Sequence, residues 1–406
     1  MRNVAIVGAG MTRFGKYADR GLKELSREAV TLALDAAGID KRDLQVAIVG
    51  NAAAGVITGQ ECIRAQVVLR EMGIDEIPMV NTENACASSS TALQLAWLYV
   101  ASGMYDVALA LGVEKMFSED KSRTLAAFSA GVDVEQLRGL MEQLKPPSEQ
   151  KAGAESGAGK SRSLFMDIYA AGARAHMAKY GTTKEQFARI AVKNHNNGSL
   201  NPHAQYRERY TLEEILASPA VAEPLTRLMC APIGDGAAAA ILMSEEKARQ
   251  YTTKPVWVRA TALMSGSDQR AEHGGITARA AKRAFEMAAM TPRDINVMEV
   301  HDASAPAELM LYEELGLCGE GEGGRLIDEG ATEIGGRLPV NTSGGLLAKG
   351  HPVGATGVSQ IYEIWLQLRG EAGDRQVAGA RAGLTENGGG MVRGEAAATT
   401  VHILTV

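Results

Sequence analysis

Residues 27–52, REAVTLALDAAGIDKRDLQVAIVGNA, align without a gap to residues 278–303, ARAAKRAFEMAAMTPRDINVMEVHDA. Arg42-Asp43-Leu44 falls on Arg293-Asp294-Ile295, and Val46 on Val297. In each copy, apolar residues at helical spacing give way to a polar turn and then to a short apolar run. One register holds through helix, turn and strand, which chance likeness between amphipathic helices does not require. A looser match joins the turn and helix after Asn81-Thr82 to those after Asn341-Thr342. The repeat predicts two similar α/β halves packed face to face, with a site where they meet.

Working outward, residues 3–8 (NVAIVG) read as a strand and 22–37 as a helix. Residues 44–50 read as a strand, 87–102 as a helix and 106–112 as a buried strand. This alternation marks an α/β protein with a largely buried sheet. The stretch from about Phe117 to Arg227 differs: it is polar, contains KPPSEQKAGAESGAGKS, and has helical spacing at 163–180 and 184–196. It reads as an inserted loop domain. The expected division is 1–117 for the first half, 118–232 for the insert, 233–250 for the return of the first half and 251–406 for the second half.

The chain has 406 residues, 46% of them apolar, enough for more than one structural unit. Net charge is −6 without long like-charge runs, which argues against general nucleic-acid binding. Cys62, Cys86, Cys230 and Cys318 lie far apart with no CxxC pair, which argues against a metal site or a disulfide framework. The N-terminal run is too short for a signal peptide, and no apolar stretch could span a bilayer. A soluble cytoplasmic protein with reduced thiols is expected.

Four segments carry chemistry. In NTENACASSSTALQL (81–95), Cys86 follows an extended stretch and precedes a helix rich in serine at its start. A thiol there meets unpaired N–H groups and the positive end of the helix dipole, and both favour the thiolate. The other three cysteines read as small buried hydrophobes. In NTSGGLLAKGHPVGATG (341–357), His351 is held between Gly350 and Pro352, and could take a thiol proton. In VMEVHDAS (297–304), His301 stands at a strand end, placed to donate to an oxygen that becomes negative or else only bonded to neighbouring Asp302. In LTENGGGMV (384–392), the glycines offer backbone N–H groups for an oxyanion, or only a tight turn.

Two decoys fail. Gly8-Ala9-Gly10 begins a dinucleotide fingerprint, but Arg13 stands at the third glycine. AESGAGKS (154–161) lacks the first glycine of a phosphate loop and no strand precedes it.

Together with GDGAAAA (234–240), these segments resemble the thiolase superfamily in order and over nearly the whole length. They are most similar to the sterol-carrier and lipid-transfer-protein-like thiolases with an HDCF motif. The resemblance implies a five-layer α-β-α-β-α fold built from two repeated halves with a loop domain between them. It implies that Cys86 is acylated, that His351 activates it, and that His301 and His351 bind the thioester oxygen of an enolate. The N–H groups of Cys86 and of a glycine at Gly389 would hold the acyl oxyanion. Gly344, Gly345, Ala303 and Ser304 would border substrate or coenzyme A. Coenzyme A would be a co-substrate, with no permanently bound cofactor and no metal. A homodimer is implied, joined in this subgroup by a small OB-fold and zinc-ribbon protein.

The chain departs from the pattern at one place. Relatives carry a second, acid/base cysteine in HDCF or before the terminal glycines; here those places hold Ala303 and Thr385-Glu386-Asn387. Ser304, Glu386, a bound water or a substrate carboxyl are the replacements considered. The expected reaction is thiolysis of a 3-oxoacyl-CoA, or the reverse Claisen condensation. The rivals are a retro-aldol lyase on a 3-hydroxyacyl-CoA and a non-catalytic lipid-binding or scaffold subunit. A branched or aromatic acyl group is implied by the subgroup, as in a benzoylsuccinyl-CoA-type thiolase.

Overall fold

The computed structural model describes residues 1–143, 162–269 and 274–406. The rejected phosphate-loop run at 154–161 lies outside the described residues. The first half runs β1 (Val4–Met11), α1 (Leu22–Ala37), β2 (Val46–Gly50), α2 (Ala54–Thr58), α3 (Arg64–Arg70), β3 (Met79–Thr82), α4 (Ser88–Ala101) and β4 (Val107–Glu114). Between β4 and the next long strand lie α5 (Lys121–Ser129), α6 (Leu137–Gln143), α7 (Leu164–Tyr180), α8 (Lys184–Ser199), α9 (Leu212–Ala217) and a hairpin of β5 (Ala220–Ala222) and β6 (Leu225–Thr226). The chain returns through β7 (Gly236–Ser244) and α10 (Glu245–Tyr251). The second half follows as β8 (Val256–Ser265), α11 (Ile276–Ala288), β9 (Val297–Glu299), α12 (Ala305–Glu314), α13 (Gly323–Asp328), α14 (Gly345–Lys349), α15 (Thr356–Arg369), β10 (Ala382–Gly389) and β11 (Ala398–Thr405).

The strands form one nine-stranded ladder, β3-β2-β4-β7-β1-β8-β11-β10-β9. Its seam is slight: β1 meets β8 only at Ala5–Trp257 and Ile6–Val256. Outward from the seam the two half-sheets have the same order. In the second, Val340 bridges to Met298 in the place that β3 holds in the first. The repeated segments therefore occupy equivalent places. α1 ends at Gly38 and α11 at Ala289, both left-handed, with φ of 69° and 53°. A short capped turn then leads into β2 or β9, with Asp40 and Thr291 as the caps.

The two half-sheets face each other across α4 and α15. Val4, Ile6, Val46 and Ala108 on one side and Val256, Val297 and Leu404 on the other share one core with Leu93, Trp97, Ile361 and Trp365 of those helices. α1 covers the outer face of the first half-sheet and α11 that of the second. This is the expected five-layer arrangement. Strands buried on both faces explain the unbroken apolar runs VAIVG and VALALG.

The segment between β4 and β7 is tied down by buried polar groups. Asp235, at the start of β7, accepts hydrogen bonds from the N–H groups of Met116 and Phe117 and from Lys115 Nζ at 2.7–2.8 Å. Lys193 of α8 pairs with Glu308 of α12. Asn194 Nδ2 donates to Asp302 and Glu308 at 2.7 and 2.6 Å.

α4 and α15 cross closely because Gly357 has no side chain; a Cβ there would lie 2.5 Å from Ser90 N. Gly357→Ala should destabilise the protein by about 1–3 kcal/mol, the usual cost of overpacking. Ala289→Gly should act in the opposite sense, gaining about 1 kcal/mol by relieving an alanine in left-handed backbone. Chemical denaturation of the two variants checks both signs.

Candidate active site

The two loops that enter the central helices supply the reactive pair. After β3 the chain turns through Ala85, a non-glycine residue at φ 47°, before α4 begins. Ser88 Oγ fastens this turn, donating to Ala85 O at 2.6 Å and accepting from Asn84 N–H at 3.0 Å. Cys86 sits at its apex. His351 lies in the equivalent loop of the second half, ahead of α15. Its Nε2 is 3.3 Å from Cys86 Sγ, and its Nδ1 is 2.7 Å from Thr356 Oγ1. The Thr356 hydroxyl donates to Pro352 O at 3.1 Å, so it accepts from the ring. The ring proton therefore belongs on Nδ1, and Nε2 presents a lone pair to the thiol.

His301 stands just past β9, packed edge-to-face on His351 with ring centroids 5.1 Å apart. Asn387 Nδ2, on β10, lies 2.9 Å from His301 Nδ1, and Ser90 Oγ of α4 donates to Asn387 Oδ1 at 3.0 Å. With the amide so placed, the His301 proton belongs on Nε2. Thus one imidazole accepts and the other donates. The sulfur and two ring nitrogens lie within 4.8 Å of one another, a spacing three metal ligands would also have. A proton on His301 Nε2 is incompatible with ligation there and favours acid–base chemistry.

Burial sets the charge state. It pushes the Cys86 thiol up to about 12, with the Glu114 carboxyl adding to the rise. Burial lowers His301 to about 4, and it lowers His351 well below the usual imidazole range, helped by His301. The resting pair is therefore neutral thiol and neutral imidazole. This corrects the sequence expectation of a thiol lowered by a helix start. Cys86 precedes the first helical residue by two positions, and desolvation outweighs the dipole.

Other expected site residues are distributed unevenly. Gly389 ends β10 pressed on the thiol loop; a Cβ would fall 2.0 Å from Asn84 O. The glycine N–H that bonds to the Cys86 sulfur belongs to Gly390, where φ turns to 62°. The glycine run is thus the end of a strand followed by a turn. Ala303 borders the thiol cavity. Gly344 and Gly345 do not: a Cβ at Gly344 would meet Gly198 Cα at 2.7 Å, and one at Gly345 would meet Asp302 Oδ2 at 2.2 Å. They are needed for packing against α8 and Asp302, not for ligand contact. Ser304 is buried, and its hydroxyl has no hydrogen-bond partner among the described residues and does not border the cavity.

Three contributors escaped the sequence reading. Glu114, closing an otherwise apolar strand, accepts from the N–H groups of Ala52, Ala53 and Gly354 at 2.9–3.2 Å and so joins the two halves beside the thiol. A lone acid after VALALGV was its only signal. Asn387, which the sequence marked only as standing where relatives carry a thiol, orients His301 from β10. Tyr169 of α7 borders the cavity, and nothing in its local sequence marks it.

The cavity above Cys86 has a volume of about 950 Å³. Cys86, His301 and His351 lie at its base, Phe117, Phe128, Phe165 and Tyr169 along its walls, and Lys16, Arg64 and Lys121 among its charged groups, with Glu61, Glu83 and Glu119.

Comparison with known proteins agrees with this architecture. Residues 4–246 match the family model described as thiolase, N-terminal domain, and 267–404 the one described as thiolase C-terminal domain-like. The chain belongs to the thiolase family. It is 42% identical over 395 residues to an acetyl-CoA acetyltransferase of Methanothermobacter thermautotrophicus, covering 96% of this chain and 97% of that protein. It is 36% identical to human sterol carrier protein 2, over 97% of this chain and 71% of that one. Among solved structures, the Ltp2-ChsH2(DUF35) aldolase superposes with a TM-score of 0.79 at 26% identity, covering 100% of this chain and 98% of that one. Human mitochondrial 3-ketoacyl-CoA thiolase in complex with CoA gives 0.72 at 18% identity, covering 100% and 98%, which shows the shared fold. The protein is a thiolase-type acyltransferase.

Because burial raises the thiol, alkylation of Cys86 by iodoacetamide should accelerate steadily from pH 7 to pH 10 as the thiolate fraction grows. Peptide mass spectrometry at each pH reads the rate, and a plateau below pH 9 would contradict this charge state.

Proposed function

We propose that the protein cleaves 3-oxoacyl-CoA thioesters with coenzyme A, or forms them by the reverse condensation, through an acyl group carried on Cys86. The observation that carries this reading is the Cys86–His351 contact at 3.3 Å, with the imidazole lone pair facing the thiol. His351 Nε2 takes the thiol proton as sulfur attacks the 3-keto carbon. The N–H groups of Cys86 and Gly390 receive the oxyanion in place of the expected Cys86 and Gly389 pair. The C2–C3 bond then breaks and its electrons pass to the thioester oxygen, which His301 Nε2–H meets. Coenzyme A finally attacks the acyl-Cys86 thioester, and the departing sulfur recovers its proton from His351.

The enolate still needs a proton at C2, and the second thiol bordering the cavity, Cys230, is turned to Thr226 O, to which it donates at 3.4 Å, with burial pushing it up to about 12. Ser304 is turned away, and Glu386 borders a neighbouring cavity. Tyr169 borders both and has no hydrogen-bond partner among the described residues, so we assign the donation to its hydroxyl, with the incoming coenzyme A thiol restoring the proton. The space beside Ala303 suits an acyl substrate bulkier than acetoacetyl-CoA.

A homodimer and a small OB-fold partner belong to the same proposal. β3 is an edge strand with half-exposed Met79 and Val80, an edge that a second copy would cover. The paired name of the Ltp2-ChsH2(DUF35) neighbour supports a partner protein. All four cysteines are free, which suits a reducing, cytoplasmic setting. No described helix is long and apolar enough to cross a membrane. The retro-aldol alternative draws on the aldolase name of the same neighbour and needs no acyl-enzyme.

Intact-mass analysis after mixing with 3-oxoacyl-CoA should show an acyl adduct on Cys86, absent in Cys86→Ala, which should fold but lose thiolysis. His351→Ala should lower turnover on the order of 10²-fold or more. Cleavage of a 3-hydroxyacyl-CoA without any adduct would replace this reading with the lyase.

His301 and His351 have depressed proton affinities, so both stay neutral as pH falls from 8 to 6. Turnover should therefore hold across that interval, with its acid limb below the usual imidazole value near 6.5. Ala303→Cys should raise acetoacetyl-CoA cleavage relative to bulkier substrates, measured as a ratio of kcat/KM values.

A further inference from the structure

We propose that a second cavity, beneath α7 on the outer face of the second half-sheet, is the chamber for the transferred acyl group. Its geometry points to a bulky, uncharged, largely apolar acyl group that carries a hydroxyl or carbonyl. The inference rests on the thiolase reading above and names the substrate class of that site.

The chamber has a volume of about 1000 Å³, at the upper end of the roughly 300–1,000 Å³ that small-molecule sites occupy. It shares Tyr169 and His301 with the thiol cavity, so the two spaces abut where the scissile bond would lie. Ile168, Met310, Leu311 and Met391 give it apolar walls.

Buried polar groups border this space, Thr277, His301, Glu395, Thr399 and Glu386 among them. Glu386 and Asn387 are consecutive on β10, so their side chains leave opposite faces of the sheet. Asn387 reaches the His301 ring in the central layer, and Glu386 borders the chamber. Glu386 is only 1% exposed. Its Oε2 accepts from His301 N–H at 3.1 Å, while Oε1 has no hydrogen-bond partner among the described residues. A carboxyl so placed is held in its neutral form at pH 7, since burial pushes it up to about 8. A neutral carboxyl can donate to a carbonyl or hydroxyl of the acyl group.

The remaining charge disfavours an anionic acyl group. Asp133 and Glu314 also border the chamber, and its Arg393 pairs with Asp268 outside it. Glu395 borders it too, so a carboxylate entering here would meet four acidic groups and an arginine already engaged.

The test compares acetoacetyl-CoA, 3-oxo-5-phenylpentanoyl-CoA, and the latter with a para-hydroxyl or a para-carboxylate on the ring. Gly172→Leu and Ala307→Phe each fill the chamber. A Cβ on Gly172 would meet Met310 Cε at 3.6 Å, ordinary contact, so that variant should fold. In both, the ratio of kcat/KM for the phenyl substrate to that for acetoacetyl-CoA should fall at least tenfold. In the unmodified protein the hydroxyl substrate should be preferred to the carboxylate by a similar factor. Glu386→Leu should erase the advantage of the hydroxyl over the plain phenyl substrate, and Glu386→Gln should keep it. An unchanged ratio in both filled variants overturns the chamber, and preference for the carboxylate overturns the assigned class. Should no substrate be thiolysed, the function reading fails instead. Calorimetric binding of non-cleavable thioether analogues of the acetoacetyl and phenyl substrates then decides the chamber: tighter phenyl binding lost in Gly172→Leu supports it, and equal binding overturns it.

Discussion

Everything in the site depends on the close crossing of α4 and α15. Each half contributes one central helix, and each helix is entered by a loop that carries a reactive side chain. Ser90 and Gly357 meet where the helices touch, and that contact fixes the distance between the two loops. The thiol and the imidazole are 265 positions apart in the chain yet 3.3 Å apart in space. A looser crossing would separate them and leave each a harmless buried group.

The surrounding polar network serves the same end. Glu114 collects N–H groups from the loop after β2 and from Gly354, so it stitches the first half to the His351 loop. Asp302 accepts from Leu346 N–H at 2.6 Å and from Asn194, tying the His301 strand end to α14 and α8. Buried carboxyls of this kind are costly to desolvate unless their oxygens are occupied. Here they are, and the occupied oxygens hold backbone in place around a cavity that must stay open.

The division of labour between the two imidazoles is also made by neighbours. Thr356 and Asn387 present opposite faces of the hydrogen-bond code, one accepting and one donating. Two residues of identical chemistry thereby become an acceptor toward the thiol and a donor toward the substrate. Low dielectric keeps both neutral, and in the proposed reaction the thiol proton moves only when substrate supplies a place for the developing negative charge.

The sequence by itself determined the repeat and marked Cys86, His301 and His351 as candidates, while the five layers were implied by the resemblance it carries. Gapless likeness between 27–52 and 278–303 fixes two equivalent helix–turn–strand units, because periodicity and turn chemistry are local properties. Cys86, His301 and His351 were legible because each sits at the edge of a regular element, where side chains project into clefts. Charge state, tautomer and reach were not legible. Desolvation reverses the expected direction for Cys86, and only burial by distant segments supplies it. Gly344 and Gly345 were read as ligand contacts, yet they face Gly198 and Asp302, neighbours set by how α8 packs. Tyr169 and Glu386 acquire their places from the tertiary structure, since α7 must lie over β10 before one tyrosine can border two cavities. Local pattern specifies elements, whereas contact between elements far apart in the chain decides which groups are dry, which are paired and which remain free to react.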